Sequence, residues 1–443
     1  MKIQLSDHFS YGRLIRFTLP SIAMMIFTSI YGVVDGFFIS TFTNKTSFAA
    51  VNFIFPFLMI LGAVGFMFGT GGSALVAKTL GEGDRDRANR LFSLIIYTSI
   101  VCGIVITALG LVLVRPIAAL LGAEGQMLED CVTYGSIILI TLVPFMLQME
   151  FQSFFITAEK PKLGLIVTIA AGVTNMVLDA LFVGVFRFDI VGAAAATATS
   201  QAVGGFFALG YFILPMNNSL LKLTKTEFDI KALIKVCTNG SSELMSNISM
   251  SLVSMLYNYQ LMKFADEDGV AAYGVLMYVS MIFMAVFIGY SIGTAPIIGY
   301  NYGAGNHSEL KSLLKKSLVI IGTTSASMLA LSLILASPLS KLFVGYDAEL
   351  YSLTVRGFNI FSFSFLFCGM AIFGSSFFTA LNNGLISALI SFLRTLVFQV
   401  AAVIILPLIF EIDGIWFSIV VAELMAFAAT LVFIFAKRKT YHY

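Results

Sequence analysis

Two aspartates in apolar surroundings are the first chemistry this sequence offers. Asp35 stands in "SIYGVVDGFFIS" (29–40) and Asp179 closes "NMVLD" (175–179), with Asn175 four residues earlier and therefore on the same helical face. A carboxylate near the centre of a membrane helix costs roughly 2.5–3.5 kcal/mol on insertion scales, so each one is a functional candidate. Two carboxylates brought together in low dielectric cannot both stay bare, and the pair should hold a proton or a cation. The small polar run "GAAAATATSQ" (192–201) adds Thr197 and Thr199 as candidate partners at the same depth. Asp, Asn and Thr supply hard oxygens, which suit Na⁺ as well as H⁺. The plainer reading of the same residues is interhelical hydrogen bonding without ion binding. A second polar set comprises Glu150, Gln152, Glu243 and Arg394. Arg394 is expected to pair with Glu150 or Glu243, the alternative being a role in binding substrate. Glu423, whose repeat partner is Gln201, reads as a polar group wanted between helices.

These side chains need membrane helices to position them. The chain has 443 residues, 58% hydrophobic and only 11% charged, with a mean hydropathy of +0.94. That composition excludes an ordinary soluble domain. Apolar runs of about twenty residues or more, each able to cross roughly 30 Å of hydrocarbon as a helix, recur at 14–42, 48–77, 91–114, 131–157, 163–186, 190–214, 232–263, 270–299, 315–336, 353–380, 385–410 and 414–436. The expectation is an all-α polytopic membrane protein with twelve transmembrane helices. Continuous runs of this kind exclude a β-barrel, whose strands alternate. The first apolar run is long and lacks a small-residue cleavage site, so it is expected to be retained and not to act as a cleaved signal. Cys102, Cys131, Cys237 and Cys368 lie in separate segments without metal-type spacing and read as small apolar side chains. His8, His307 and His442 all fall outside the apolar spans, so carboxylates must carry any proton coupling.

Basic residues set the expected orientation. With the N-terminus inside, nineteen Lys and Arg fall in inner segments, from Lys2, Arg13 and Arg16 to Lys437, Arg438 and Lys439. Six fall outside: Lys45, Arg115, Arg187, Lys263, Lys341 and Arg356. The positive-inside rule then places both termini in the cytoplasm, and the expected location is the plasma (inner) membrane.

The sequence also matches itself at an offset of 222. "LGEGD" (80–84) falls on "YGAGN" (302–306), Gly71 on Gly293, "RP" (115–116) on "SP" (337–338), "TA" (157–158) on "TA" (379–380), and "IVG" (190–192) on "IDG" (412–414). One offset held over five helices indicates duplication. Six spans per copy give two parallel repeats around a central cleft: an N-terminal lobe at 1–214, a cytoplasmic linker at 215–231 and a C-terminal lobe at 232–443. Such a cleft suits alternating access. "GTGGSA" (69–74) and "GSALVAKT" (72–79) resemble nucleotide-binding loops, but no strand precedes the first and Ala77 replaces a required glycine of the second. Their glycines read as close helix packing. ATP-driven transport is not expected, nor is an enzyme or a selectivity-filter channel.

The duplicated halves, Pro20 followed by "VVDGFFI", "ALVAKTLGEGD" after the second helix and "NMVLD" in the fifth resemble the multidrug and toxic compound extrusion (MATE) family. The resemblance spans nearly the whole chain. It implies a secondary active antiporter that exports amphipathic, often cationic compounds against inward H⁺ or Na⁺, with no cofactor, no nucleic-acid partner and a monomer in the lipid bilayer. Carried over, the cation site is Asp35, Asn175 and Asp179, with Thr197 a looser match and Pro20 the hinge of a moving first helix. Glu243 matches a seventh-helix glutamate of some relatives. Their tenth-helix aspartate has no counterpart, because 353–380 contains no Asp or Glu. Gln152 stands in for an asparagine near the end of the fourth helix. A lipid-linked oligosaccharide flippase of the same superfamily is the alternative. It would need a strongly cationic cavity, whereas Arg394 is the only basic residue deep in the spans.

Overall fold

Long apolar helices with polar caps account for almost the whole chain. The computed structural model describes residues 3–215 and 217–443; Lys2 of the basic inventory and Met216 of the linker lie outside them. The segments are α1 (Tyr11–Phe42), α2 (Lys45–Gly81), α3 (Arg85–Leu120), α4 (Gly125–Ile140 with Leu142–Thr157), α5 (Pro161–Val185), α6 (Asp189–Ile213), α7 (230–264), α8 (Asp268–Gly303), α9 (His307–Val344), α10 (Ala348–Ala380), α11 (Gly384–Ile405) and α12 (Pro407–Tyr441). Ten of these are long and apolar enough to cross a membrane, and α4 is an eleventh span bent by 56° at Thr141. The remaining segment, α7, falls short of that apolar standard because it carries Asn239, Glu243, Asn247, Asn258 and Gln260. A sharp break at Ala265 and Asp266 separates it from α8. The protein is a multi-pass helical membrane protein.

The two halves repeat in detail. Helices α2 and α8 both end in a turn through a left-handed glycine, Gly83 (φ +86°) and Gly305 (φ +66°), where a side chain would be strained. The next helix is capped alike, Asp84 accepting from the Arg87 N–H and Asn306 from the Glu309 N–H. Pro116 and Pro338 sit inside α3 and α9 at the same offset. In the α5 and α11 pair the register drifts: the left-handed residues opening them, Glu159 and Asn382, are 223 apart.

The lobes meet at the end that bears the chain termini. A Cβ on Gly81 would stand 2.0 Å from the Tyr300 carbonyl oxygen, and one on Gly303 2.0 Å from that of Lys78, the same contact in each direction. Higher up, Gly71 meets Val236 and Gly240, and Gly240 in turn meets Met67. The glycines of "GTGGSA" therefore serve helix packing. Asn382 of the C-terminal half ties the seam, donating to the Ala74 carbonyl at 3.2 Å while its Oδ1 accepts from Asn239 at 2.7 Å. Towards the opposite end, Gly32, Gly36 and Gly274 face open space.

A strap before α1 crosses this closed end. Leu5 and Phe9 are fully buried. The Leu5 N–H donates to Glu159, between α4 and α5, at 2.9 Å, and the Phe9 N–H donates to Glu309 of α9 at 2.9 Å. His8 adds a 2.6 Å contact to Glu309, and Lys316 bonds the Phe9 carbonyl. One short segment thereby binds a carboxylate in each half.

Candidate cation-binding site

The site is built by α1, α5 and α6. Gly172 of α5 lets α1 approach, since a Cβ there would strike the Phe27 and Tyr31 rings at 2.5 and 2.8 Å. This packing brings together residues from 35 to 197. Asp35 Oδ1 accepts from Thr197 Oγ1 at 3.3 Å and from Asn175 Nδ2 at 3.5 Å, and Asn175 Nδ2 also faces Thr197 Oγ1 at 3.5 Å. Asp179 lies against Asp35. Asn175 and Asp179 are buried, while Asp35 and Thr197 are half-buried. Immediately after Asp179 the helix widens into a π-helical stretch, Ala180–Val185. Such widening recurs at functional sites.

The hydrogen bonding of this cluster is incomplete. Both oxygens of Asp179 and Oδ1 of Asn175 are buried without a donor among the described residues. Orphaned buried acceptors of this kind are costly, and a bound cation or proton would satisfy them. Two carboxylates, an amide and a hydroxyl offer hard oxygens here, and the two carboxylates when ionised carry two negative charges that a proton or a monovalent cation would halve. Tyr31 and Tyr134 stand close to the carboxylates. Sequence reading did not single them out, because a tyrosine in a helix carries no spacing signal. Thr199 does not join the group: it is exposed and donates to the Ala195 carbonyl of its own helix at 2.7 Å.

The corresponding place in the C-terminal half is neutral. Tyr257, 222 residues from Asp35, stacks on Tyr273 with ring centroids 5.4 Å apart and donates to Gln399 at 2.8 Å. Gln260 donates to the Val403 carbonyl at 2.9 Å. Amides and phenols thus satisfy each other where the N-terminal half leaves acids unmet.

The second polar set divides. Arg394, in the π-helical stretch Leu393–Val397 of α11, donates its Nε to both oxygens of Glu423 on α12, at 3.0 and 2.9 Å. The expected pairing with Glu150 or Glu243 is therefore corrected: α11 packs against both α7 and α12, and Glu423 of α12 is the acid within hydrogen-bonding distance of the guanidinium. Glu243 is half-buried with no hydrogen-bonded partner for its carboxylate among the described residues, though it lies within the electrostatic reach of Arg394. Glu150 is fully buried in the other half, bonded to Ser99 through one oxygen and unmet at the other. Gln152, also buried, leaves its Nε2 unmet. Pro20 is buried within α1, which runs unbroken through it.

The description MatE fits this chain twice, over residues 20–181 and 244–405. The chain belongs to the MatE family. It is thus a transporter and not an enzyme, and the two matches fall one in each half of the fold. Their displacement of 224 residues lies within two of the offset of 222 at which the sequence matches itself. Among relatives, the multidrug export protein MepA of Staphylococcus haemolyticus (strain JCSC1435) is 24% identical over 414 residues, covering 93% of this chain and 90% of that protein. MepA of Staphylococcus aureus (strain MSSA476) is 23% identical over 428 residues, covering 95% and 93%. Among solved structures, a crystal structure of MATE in complex with MaL6 superposes with a TM-score of 0.93 at 20% identity, covering 98% of each chain. An outward-facing conformation of a multidrug resistance MATE family transporter gives 0.92 at 21%, covering 98% and 97%. These likenesses fix the fold as the MATE architecture of two repeated halves.

Proposed function

We propose that this MatE-family transporter is a secondary active antiporter that exports amphipathic, cationic organic compounds in exchange for inward H⁺ or Na⁺ by alternating access. Asp35, Asn175, Asp179 and Thr197 hold the coupling ion. The observation that carries this reading is the buried Asp179, both of whose oxygens lack a donor among the described residues beside a second carboxylate. A proton or Na⁺ entering the site halves the charge of the pair and lets α1 repack around Pro20, where a backbone hydrogen bond is missing. Substrate affinity falls, and the halves exchange access. The coupling ion takes the place of a cofactor. The neutral cluster of Tyr257 and Gln399 supports coupling in the N-terminal lobe alone.

Half-buried Glu243 supplies negative charge for a cationic substrate, with Glu150 and Gln152 as a further polar site in the N-terminal lobe. The pairing of Arg394 with Glu423 supports an exporter of cations over a lipid-linked oligosaccharide flippase, since the deepest basic side chain is already engaged and offers no pyrophosphate site. The lobes correspond to 1–214 and 232–443, joined by the linker 215–231. The protein works as a monomer in the plasma membrane with both termini in the cytoplasm. Efflux of a lipophilic cation such as ethidium from proteoliposomes, under separately imposed Na⁺ and H⁺ gradients, tests the reading. Export driven by either gradient supports it, and export indifferent to both overturns it.

A further inference from the structure

The linker between the lobes borders a cavity that neither the coupling site nor the cleft uses. Its first part is fastened to α3. Arg85 bonds the carbonyls of Ser219 and Leu220 at 3.3 and 3.2 Å, the Lys222 N–H donates to Asn89 at 2.9 Å, and the Thr224 N–H donates to Ser93 at 2.8 Å. The fastening then stops. Among the described residues no hydrogen bond joins residues 225–228 to α3, and the next anchor is Asp229, which caps α7 by accepting from the Lys231 and Ala232 N–H groups. Where the chain leaves α3 a half-open cavity of about 820 Å³ is left, lined by Arg87, Arg90, Leu91 and Leu94 on one side and by 225–231 on the other.

The lining has a definite chemistry. Arg87, Arg90, Lys225 and Lys231 face the cavity, and none of the four is in an ion pair among the described residues. Glu227 and Asp229 also line it, and Asp229 spends one oxygen on the α7 cap, so positive charge is in excess. Beside these charges Phe228, Ile230 and Ile234 are 74%, 54% and 59% exposed. Exposed apolar side chains next to unpaired basic ones, at the end of membrane helices, match a molecule that is anionic at its head and apolar behind it. Arginine in particular recognises phosphate oxygens through its planar fork.

We infer that this cavity binds the phosphodiester headgroup of an anionic membrane phospholipid, whose acyl chains run along Phe228, Ile230 and Ile234. Bound there, the lipid bridges α3 of one lobe to the first turn of α7 in the other, at the end where the lobes are closed. This inference does not depend on which ion drives transport.

The test is native mass spectrometry of the full chain titrated with phosphatidylglycerol or with phosphatidylcholine of matched acyl chains. Wild type is expected to bind phosphatidylglycerol about tenfold more tightly, in line with the attraction of basic clusters for anionic lipid. The preference should vanish when Arg87, Arg90, Lys225 and Lys231 are all changed to Gln. It should persist when Lys311, Lys315, Arg438 and Lys439, basic residues that do not line the cavity, are changed instead. Inorganic phosphate at millimolar concentration should leave lipid bound, because it lacks the chains. Equal binding of the two lipids, equal loss in both variant sets, or displacement by inorganic phosphate would overturn the assignment.

Discussion

At the residue scale the protein rests on where it leaves charge unmet and where it does not. Asp35 and Asp179 converge without enough donors, so replacing either by Asn should remove ion-driven export of ethidium from proteoliposomes. Tyr257→Phe should spare export, because its cluster carries no charge to lose. That change leaves Gln399 Oε1 without its donor and should lower stability by about 1–3 kcal/mol, read by thermal unfolding in detergent. Arg394 and Glu423 give the opposite case. Their side chains are 12% and 5% exposed, and Glu423→Gln strands a buried guanidinium. A loss of roughly 3–5 kcal/mol is expected, largely restored in the double variant Arg394→Met, Glu423→Met. If the single and double variants unfold alike, the ion pair is not what holds α11 to α12. The acids of the site were legible in the sequence because burying charge in a membrane is costly enough to stand out. The partner of Arg394 was not, since choosing among three glutamates requires knowing which helices touch.

At the element scale, glycines and the strap set how firmly the terminus-bearing end stays shut. Gly81 and Gly303 allow helices α2 and α8 to cross with backbone in contact, and a side chain there has nowhere to go. Gly81→Leu or Gly303→Leu should therefore pry this end apart, at a cost of about 1–3 kcal/mol typical of overpacking. Spin-label distances between α2 and α8 should lengthen relative to wild type; unchanged distances would show that the contact is not part of the seal. The strap acts on the same seal through Glu159 and Glu309. Since opening this end must part those two carboxylates, Glu309→Gln should raise the fraction of molecules open there, and an unaltered fraction would mean that the strap merely follows the lobes. Eleven of the twelve helical segments were readable from apolar length, while α7, rich in polar residues, is a helix that falls short of that measure. The bend at Thr141 had its signal in Pro144, which cannot donate to the Ile140 carbonyl, and was overlooked because the apolar run continues through it; the π-helical stretches carry no comparable signature. The close helix packing was foreshadowed by "GTGGSA", once the absence of a preceding strand ruled out a dinucleotide-binding loop.

At the scale of the whole molecule, duplication followed by divergence explains why a symmetric frame carries an asymmetric site. The glycine contacts keep the two-fold relation, Gly81 to Tyr300 mirrored by Gly303 to Lys78. The polar clusters have departed from it, with acids in one half and Tyr257 and Gln399 in the other. An offset of 222 located the duplication, while the one-residue drift at the turns that open α5 and α11 emerges only in three dimensions. An antiporter on this frame needs its cation and substrate to be mutually exclusive, so each must weaken the other's binding by the same factor. The most direct measurement is equilibrium binding of ethidium to the purified protein across Na⁺ concentration and pH, in wild type and in Asp35→Asn. Affinity in wild type is predicted to fall as Na⁺ rises or as pH is lowered, with the dependence absent in the variant. Wild-type affinity indifferent to both ions, or a variant that keeps the full dependence, would contradict the assignment of Asp35 and Asp179 as the coupling site.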